Sequence, residues 1–238
     1  MKRIILATLT ALLPLAAARA ESPALNVATT PVVHGGTEKR IEQFNEISKK
    51  GEARLVFLGD SITHGWEGAG KEVWKTAWEQ YKPANFGIGG DRTEHVLWRI
   101  DHGNFDGLKP KLVVIMIGTN NTGHRKAEEP AGQTAEGVKA IIDRIAKKCP
   151  ETQYLLLGIF PRGEKPDDKL RVHNAAINEL LAKQADGKKI HYMDIGKAFL
   201  QPDGTLTKDI MPDLLHLSPK GYQIWADSLK DKVAELMK

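Results

Sequence analysis

The chain has 238 residues, 41% of them hydrophobic, with 34 lysines and arginines, 30 acidic residues and a single cysteine, a size that suits one ordinary to large domain. Lys2, Arg3 and Arg19 fall within the first twenty residues, and without them the charges are nearly balanced at 31 against 30. No basic block or interleaved aromatic pattern argues for a nucleic-acid partner, and one cysteine cannot form an internal disulfide.

Residues 1–20 open with Lys2 and Arg3, run apolar from Ile4 to Ala18 around Pro14, and end in Ala18-Arg19-Ala20. That order predicts a secretory signal peptide cut after Ala20, hence a secreted or periplasmic protein. The run is too short for a membrane span, and none is expected later in the chain. Residues 21–36, with Pro23, Pro31, Gly35 and Gly36 and no periodicity, predict an exposed lead-in. The folded domain is expected over 37–238.

Within it, helical patterns at Thr37–Lys50, Thr93–His102, Gln133–Lys148, Asp168–Lys183 and from Pro219 to the C-terminus alternate with apolar runs. Leu55–Leu58, Leu112–Ile117 and Tyr154–Ile159 are strong strand candidates; Ala84–Ile88 and Ile190–Ile195 are weaker. Alternation of this kind predicts an α/β fold with a parallel sheet covered on both faces, whose chemistry lies in the loops after the strands. Ser218 is the expected N-cap of the last helix, with Pro219 at its first position. Cys149 continues the helical face of Val138, Ile141, Ile142 and Ile145, so it is expected to be a buried structural thiol.

Three strand-end loops and one pair carry the chemistry. In "VFLGDSITHGW", Gly59 allows a tight turn and Ser61 follows where the chain leaves the sheet, either as a helix N-cap or as a nucleophile. The loop "NFGIGGDRT" lacks the dinucleotide spacing, but Gly90 can present a bare N–H. In "IMIGTNNTG", Asn120 is the expected oxyanion donor; Asn121 could share that role or hold a turn. His124 is close enough in sequence to touch a substrate. In "PDLLHLSPKGY", Asp213 and His216 lie three apart, and a serine hydroxyl needs such an imidazole, oriented by a carboxylate, to lose its proton. The eight histidines show no zinc spacing, so no metal site is expected.

"GDSIT", the glycine loop, "GTNN" and "DLLH" resemble, in order, the four blocks of the SGNH or GDSL hydrolases. "NFGIGGDRTEHVLWRI", "PRGEKP" and "DLLHLSPKGY" are similar to the catalytic subunits of intracellular platelet-activating-factor acetylhydrolase over most of the chain from Gly51 onward. The resemblance implies a flavodoxin-like three-layer sandwich with a five-stranded sheet in the order 2-1-3-4-5 and no cofactor. It also implies Ser61 as nucleophile, His216 as base, Asp213 as its orienter, and an oxyanion hole of Ser61 N–H, Gly90 and Asn120. Ile62 and Leu215, flanking nucleophile and base, are expected to wall a small acyl pocket. The named members of that subgroup are intracellular, whereas this chain is expected to begin with a leader. The ordinary α/β-hydrolase elbow is G-x-S-x-G, and Thr63 breaks it here.

The expected activity is therefore an exported serine esterase removing a short acyl group, most readily acetyl, from an acetylated carbohydrate or a lipid-like ester. Longer acyl chains, as in a lysophospholipase or thioesterase, are the alternative within enzymes. A glycan-binding module with an inactive site is the alternative outside them. The assembly state is open, a homodimer included.

Overall fold

A computed structural model describes residues 25–238. The leader expected over 1–20, with its cut after Ala20, lies outside the described residues. In chain order the elements are α1 (Glu38–Lys50), β1 (Leu55–Gly59), α2 (Ser61–His64), α3 (Lys71–Ala77), β2 (Pro83–Gly87) and α4 (Thr93–Asp101). There follow β3 (Leu112–Met116), α5 (Thr119–His124), α6 (Ala131–Lys148), β4 (Gln153–Leu157), α7 (Lys169–Ala182), β5 (Ile190–Met193) and α8 (Pro219–Leu236).

All strand pairings are parallel, and the order is β2-β1-β3-β4-β5. The pleat sends alternate residues to opposite faces. Val56 and Leu58 of β1 and Val113 and Ile115 of β3 meet Phe44 of α1, Val96 of α4, Val138 of α6 and Ile177 of α7. Leu55, Phe57, Leu112 and Val114 face the other way, toward Trp66, Trp78 and the Tyr222 and Trp225 of α8. The result is a flavodoxin-like three-layer sandwich.

Because both faces are buried, the central strands are continuous apolar runs, which is why β1, β3 and β4 stand out in the sequence. The weaker signals belong to the edges: β2 and β5 are partly exposed. Ser218 caps α8 as expected, accepting from Gly221 N at 3.2 Å. Cys149 is buried, and burial pushes its thiol up to about 11, which leaves it without nucleophilic character at neutral pH.

Over its described part the lead-in leaves Leu25, Val27, Val32 and Val33 exposed, yet it also carries local structure. Val27–Thr29 form a 3-10 turn, Asn26 Oδ1 accepts from Ala28 N at 2.9 Å, and Ala28 is fully buried. The Thr93 hydroxyl donates to Ala28 O at 2.9 Å and Val32 N to Glu94 O at 3.2 Å. Residues 25–36 thus form a strap docked on α4 and α6. It docks mainly by polar contacts rather than an apolar stripe, so periodicity carries no trace of it.

Candidate active site

The Ser61 turn begins where β1 runs out. A Cβ on Gly59 would stand 2.3 Å from Met116 O and 2.2 Å from Thr63 Oγ1, so only glycine fits between β3 and the start of α2. Asp60 caps α2, its Oδ1 accepting from Ile62 N at 3.0 Å. Ser61 is then the first helical residue, so its N–H has no intrahelical acceptor. From α8, the Tyr222 hydroxyl donates to Ile62 O at 2.6 Å and clamps the turn from below.

Ser61 Oγ lies 2.8 Å from His216 Nε2, and His216 Nδ1 lies 2.6 Å from Asp213 Oδ2. With Nδ1–H given to the carboxylate, Nε2 is the acceptor that faces the hydroxyl. The other Asp213 oxygen accepts from the backbone N–H groups of Leu215 (3.1 Å) and His216 (2.7 Å). Burial works to raise the Asp213 pKa, but the hydrogen bonds from the His216 ring and backbone outweigh it and hold the carboxyl below its ordinary range. Leu214 sits in the left-handed region, φ +60°, an unusual conformation for leucine that gives this turn its tight shape. The chain can therefore move a proton from Ser61 to an imidazole already oriented to receive it.

The glycine loop reaches the same place: a Cβ on Gly89 would lie 3.9 Å from Ser61 Cβ. Gly90 adopts φ +80°, and its N–H has no acceptor among the described residues. Asn120 is buried, and its Nδ2 donates to Asp91 O at 2.9 Å, which ties the third loop to the second and leaves one amide hydrogen over. Asn121 takes the structural role, its Oδ1 accepting from Thr93 N at 3.1 Å and its Nδ2 donating to Thr93 Oγ1 at 3.0 Å. Of the expected acyl-pocket pair, Leu215 is half-buried, but Ile62 is only 1% exposed. The expectation for Ile62 is corrected: it lies on the inward face of α2, in the core, and offers a substrate no surface.

The sequence did not reveal His34. Its Nδ1 lies 2.8 Å from Asp91 Oδ1, while Asp91 Oδ2 accepts from the buried Arg99 at 3.0 Å. The same ring would touch a Cβ on Gly90 at 3.2 Å. The strap thus braces the glycine loop. His34, Asp91 and His95 are the one set of three metal-ligating groups close enough to share an ion among the described residues. They fit a cation poorly, because Arg99 already neutralises Asp91 and Arg92 N donates to His95 Nδ1 at 3.1 Å. Burial, then Arg92, push His95 down to about 4, so its ring is neutral at physiological pH.

Asp60 is the remaining unusual group. It is fully buried with Oδ2 unpartnered, and burial pushes its carboxyl up to about 7. A broad depression along the β2 edge, between Arg40 and Trp74, contains none of these residues.

The sequence model of the GDSL-like lipase/acylhydrolase family matches residues 57–224, spanning every loop just described. The chain belongs to that family. It is a carboxylic ester hydrolase, similar to human platelet-activating factor acetylhydrolase IB subunit alpha1, with 39% identity over 176 residues covering 74% of this chain and 73% of the relative. The rat alpha2 subunit is 35% identical over 206 residues, 85% of this chain and 86% of the relative. Among solved structures, a GDSL-like lipase from Bacteroides thetaiotaomicron superposes with a TM-score of 0.64 at 24% identity, covering 83% of this chain and 97% of that one. An acetylxylan esterase from Geobacillus stearothermophilus gives 0.60 at 18% identity, covering 75% and 93%. Both share the fold.

Proposed function

We propose that the protein is a serine esterase for short acyl groups, acetyl foremost, with Ser61, His216 and Asp213 as its triad. The observation that carries this reading is the unbroken relay from Ser61 Oγ through the imidazole to Asp213, at 2.8 and 2.6 Å. Ser61 Oγ attacks the ester carbonyl carbon while His216 Nε2 takes its proton. The carbonyl oxygen becomes an oxyanion facing the N–H groups of Ser61 and Gly90 and the spare Asn120 amide hydrogen. Collapse breaks the carbon–oxygen bond to the alcohol, which leaves with the proton from His216. Water then enters, gives its proton to the same nitrogen, and releases the acid from Ser61.

Acetyl is favoured by the acetylhydrolase names of the alpha1 and alpha2 relatives and by Leu215 beside the base, half-buried where a longer tail would run. We also infer export, from the basic start, apolar run and Ala-x-Ala ending of residues 1–20; cell fractionation with N-terminal sequencing tests it, and a mature protein retaining Met1 in the cytoplasm overturns it.

The test of activity is p-nitrophenyl ester hydrolysis by Ser61→Ala, His216→Ala and Asp213→Asn proteins shown to be folded. The first two should lose turnover, and Asp213→Asn should lose roughly 10⁴, the precedent for a wrong imidazole tautomer in a serine protease. Near-normal turnover by Ser61→Ala would refute the assignment. The unmodified enzyme should fall steeply from acetyl to butyryl; equal cleavage of octanoyl esters would favour the long-chain reading.

A further inference from the structure

Arg99 belongs to α4 and is 1% exposed, yet the chemistry proposed above makes no use of it. Its Nε donates to Asp91 Oδ2 at 3.0 Å and its Nη1 to Asn104 Oδ1 at 3.0 Å. Nη2 donates to Phe86 O at 2.8 Å and reaches Gly59 O at 3.5 Å. The Phe44 ring, itself stacked on Phe86, lies over the guanidinium with 5.5 Å from Cζ to the ring centroid. One rigid plane thus spends its donors in three directions.

The acceptors on two of those sides belong to the candidate active site. Gly59 ends β1 two residues before Ser61, Phe86 is the last residue but one of β2, and Asp91 follows Gly90. The same segments are cross-linked by backbone bonds, Ile88 N to Gly59 O at 3.2 Å and Asp91 N to Ile88 O at 3.2 Å. Asp91 O in turn accepts from Asn120 Nδ2 at 2.9 Å. The Ser61 turn, Gly90 and Asn120 are therefore all tied to Asp91 or to strand ends that Arg99 reaches.

α4 does not need this contact to stay in place, because Val96, Leu97 and Ile100 already bury it in the core. Replacing a buried ion pair by apolar side chains is often neutral for stability, whereas a planar guanidinium constrains direction. Lysine carries the same charge on one nitrogen at the end of a flexible stem, so it can neutralise Asp91 without fixing the distance from the strand ends to the glycine loop. Oxyanion donors act only when they are already aimed at the place where charge develops.

Resting on the esterase reading above, we propose that Arg99 is a positioning residue, which sets the spacing of the three oxyanion donors by holding the ends of β1 and β2 to the glycine loop. It touches no substrate and moves no proton. Its loss acts on turnover, because the donors are then misplaced for the transition state while the ground-state ester binds as before.

The test compares the full-length wild type with Arg99→Lys on p-nitrophenyl acetate, with active sites counted by fluorophosphonate titration. kcat per site should fall about 10- to 100-fold, with KM within about twofold of wild type. Hydrogen exchange is followed in the same two proteins. The amides of Ile62, Ile88 and Asp91, which close the two turns, should exchange about tenfold faster in the variant, and those of α6 and β4 should not change. Unchanged kcat per site, or a rise in KM with kcat held, overturns the proposal. So does faster exchange throughout the fold, because Arg99 would then only stabilise the molecule. If Arg99→Lys does not fold, His34→Ala is compared with the double variant His34→Ala/Asp91→Asn, whose amide keeps the shape of the carboxylate but loses the charge-assisted bond to Arg99. A further fall in kcat at constant KM supports the proposal, and no further fall overturns it. If the wild type cleaves no ester, the esterase reading fails, and hydrogen exchange decides the role of Arg99 separately. Acceleration confined to the two turns supports it, and uniform or absent acceleration overturns it.

Discussion

Asn120 and Asn121 are chemically identical neighbours with different work. One turns its amide toward the glycine loop and keeps a hydrogen free; the other spends both ends on Thr93 at the start of α4. Asn120→Ala should lower kcat by about 10²–10³ with little change in KM, because its spare hydrogen meets charge that develops only in the transition state. A rise in KM with kcat intact would make Asn120 a substrate-binding group instead. His34 acts one step behind, through Asp91 and Gly90. His34→Ala should lower kcat by roughly tenfold, the scale of losing a hydrogen bond to a charged group, and His34→Gln should recover part of it. Steady-state kinetics separates this from loss of folding: a positioning role moves kcat, whereas a strap that merely stabilises the fold would leave kcat per folded molecule unchanged.

Among the elements, α8 does most to assemble the site. Its N-cap follows His216 by two residues, and Tyr222, one turn further, reaches Ile62 O. The start of one helix therefore positions the His216 loop and supports the Ser61 turn. Gly65 makes the contact possible, since a Cβ there would lie 2.1 Å from the Tyr222 hydroxyl. Tyr222→Phe leaves the Ile62 carbonyl buried without this donor, which should cost about 1–3 kcal/mol of stability. Urea denaturation checks the loss, and unchanged stability would mean that Ile62 O needs no partner from α8. Turnover should fall as well, because the serine turn loses its clamp.

For the whole molecule, the buried carboxyl of Asp60 gives folding a pH dependence of unusual sign. Its pKa is about 7 in the folded protein against an ordinary 3.8. Between those values the folded state binds more protons than the unfolded state, so this group makes stability fall as pH rises, with the full penalty present above about 7. His95 works in the opposite direction. Held down to about 4 against an ordinary 6.5, it makes stability rise with pH over that interval. Asp60→Asn keeps an oxygen for Ile62 N and does not titrate. The difference between wild type and variant isolates Asp60, and it should shift in favour of the variant by a few kcal/mol from pH 4 to pH 7. Denaturation midpoints across that interval test it; parallel curves would mean that Asp60 is ionised throughout.

The amino-acid sequence by itself determined the sheet and the places where chemistry could lie. Buried parallel strands must be apolar throughout, helices between them must repeat near every 3.6 residues, and Ser218-Pro219 announces its own helix. These are local rules, so Ser61, Gly90, Asn120, Asp213 and His216 could be picked out from strand ends and one cap. Tertiary structure alone decided which directional contacts form. Ser61 and His216 are 155 residues apart, and His34 and Asp91 are 57 apart. The strap docks through polar contacts, and the inward face of α2 buries Ile62. Hydrogen bonds and ion pairs depend on the direction of single side chains in loops, where no periodicity records them.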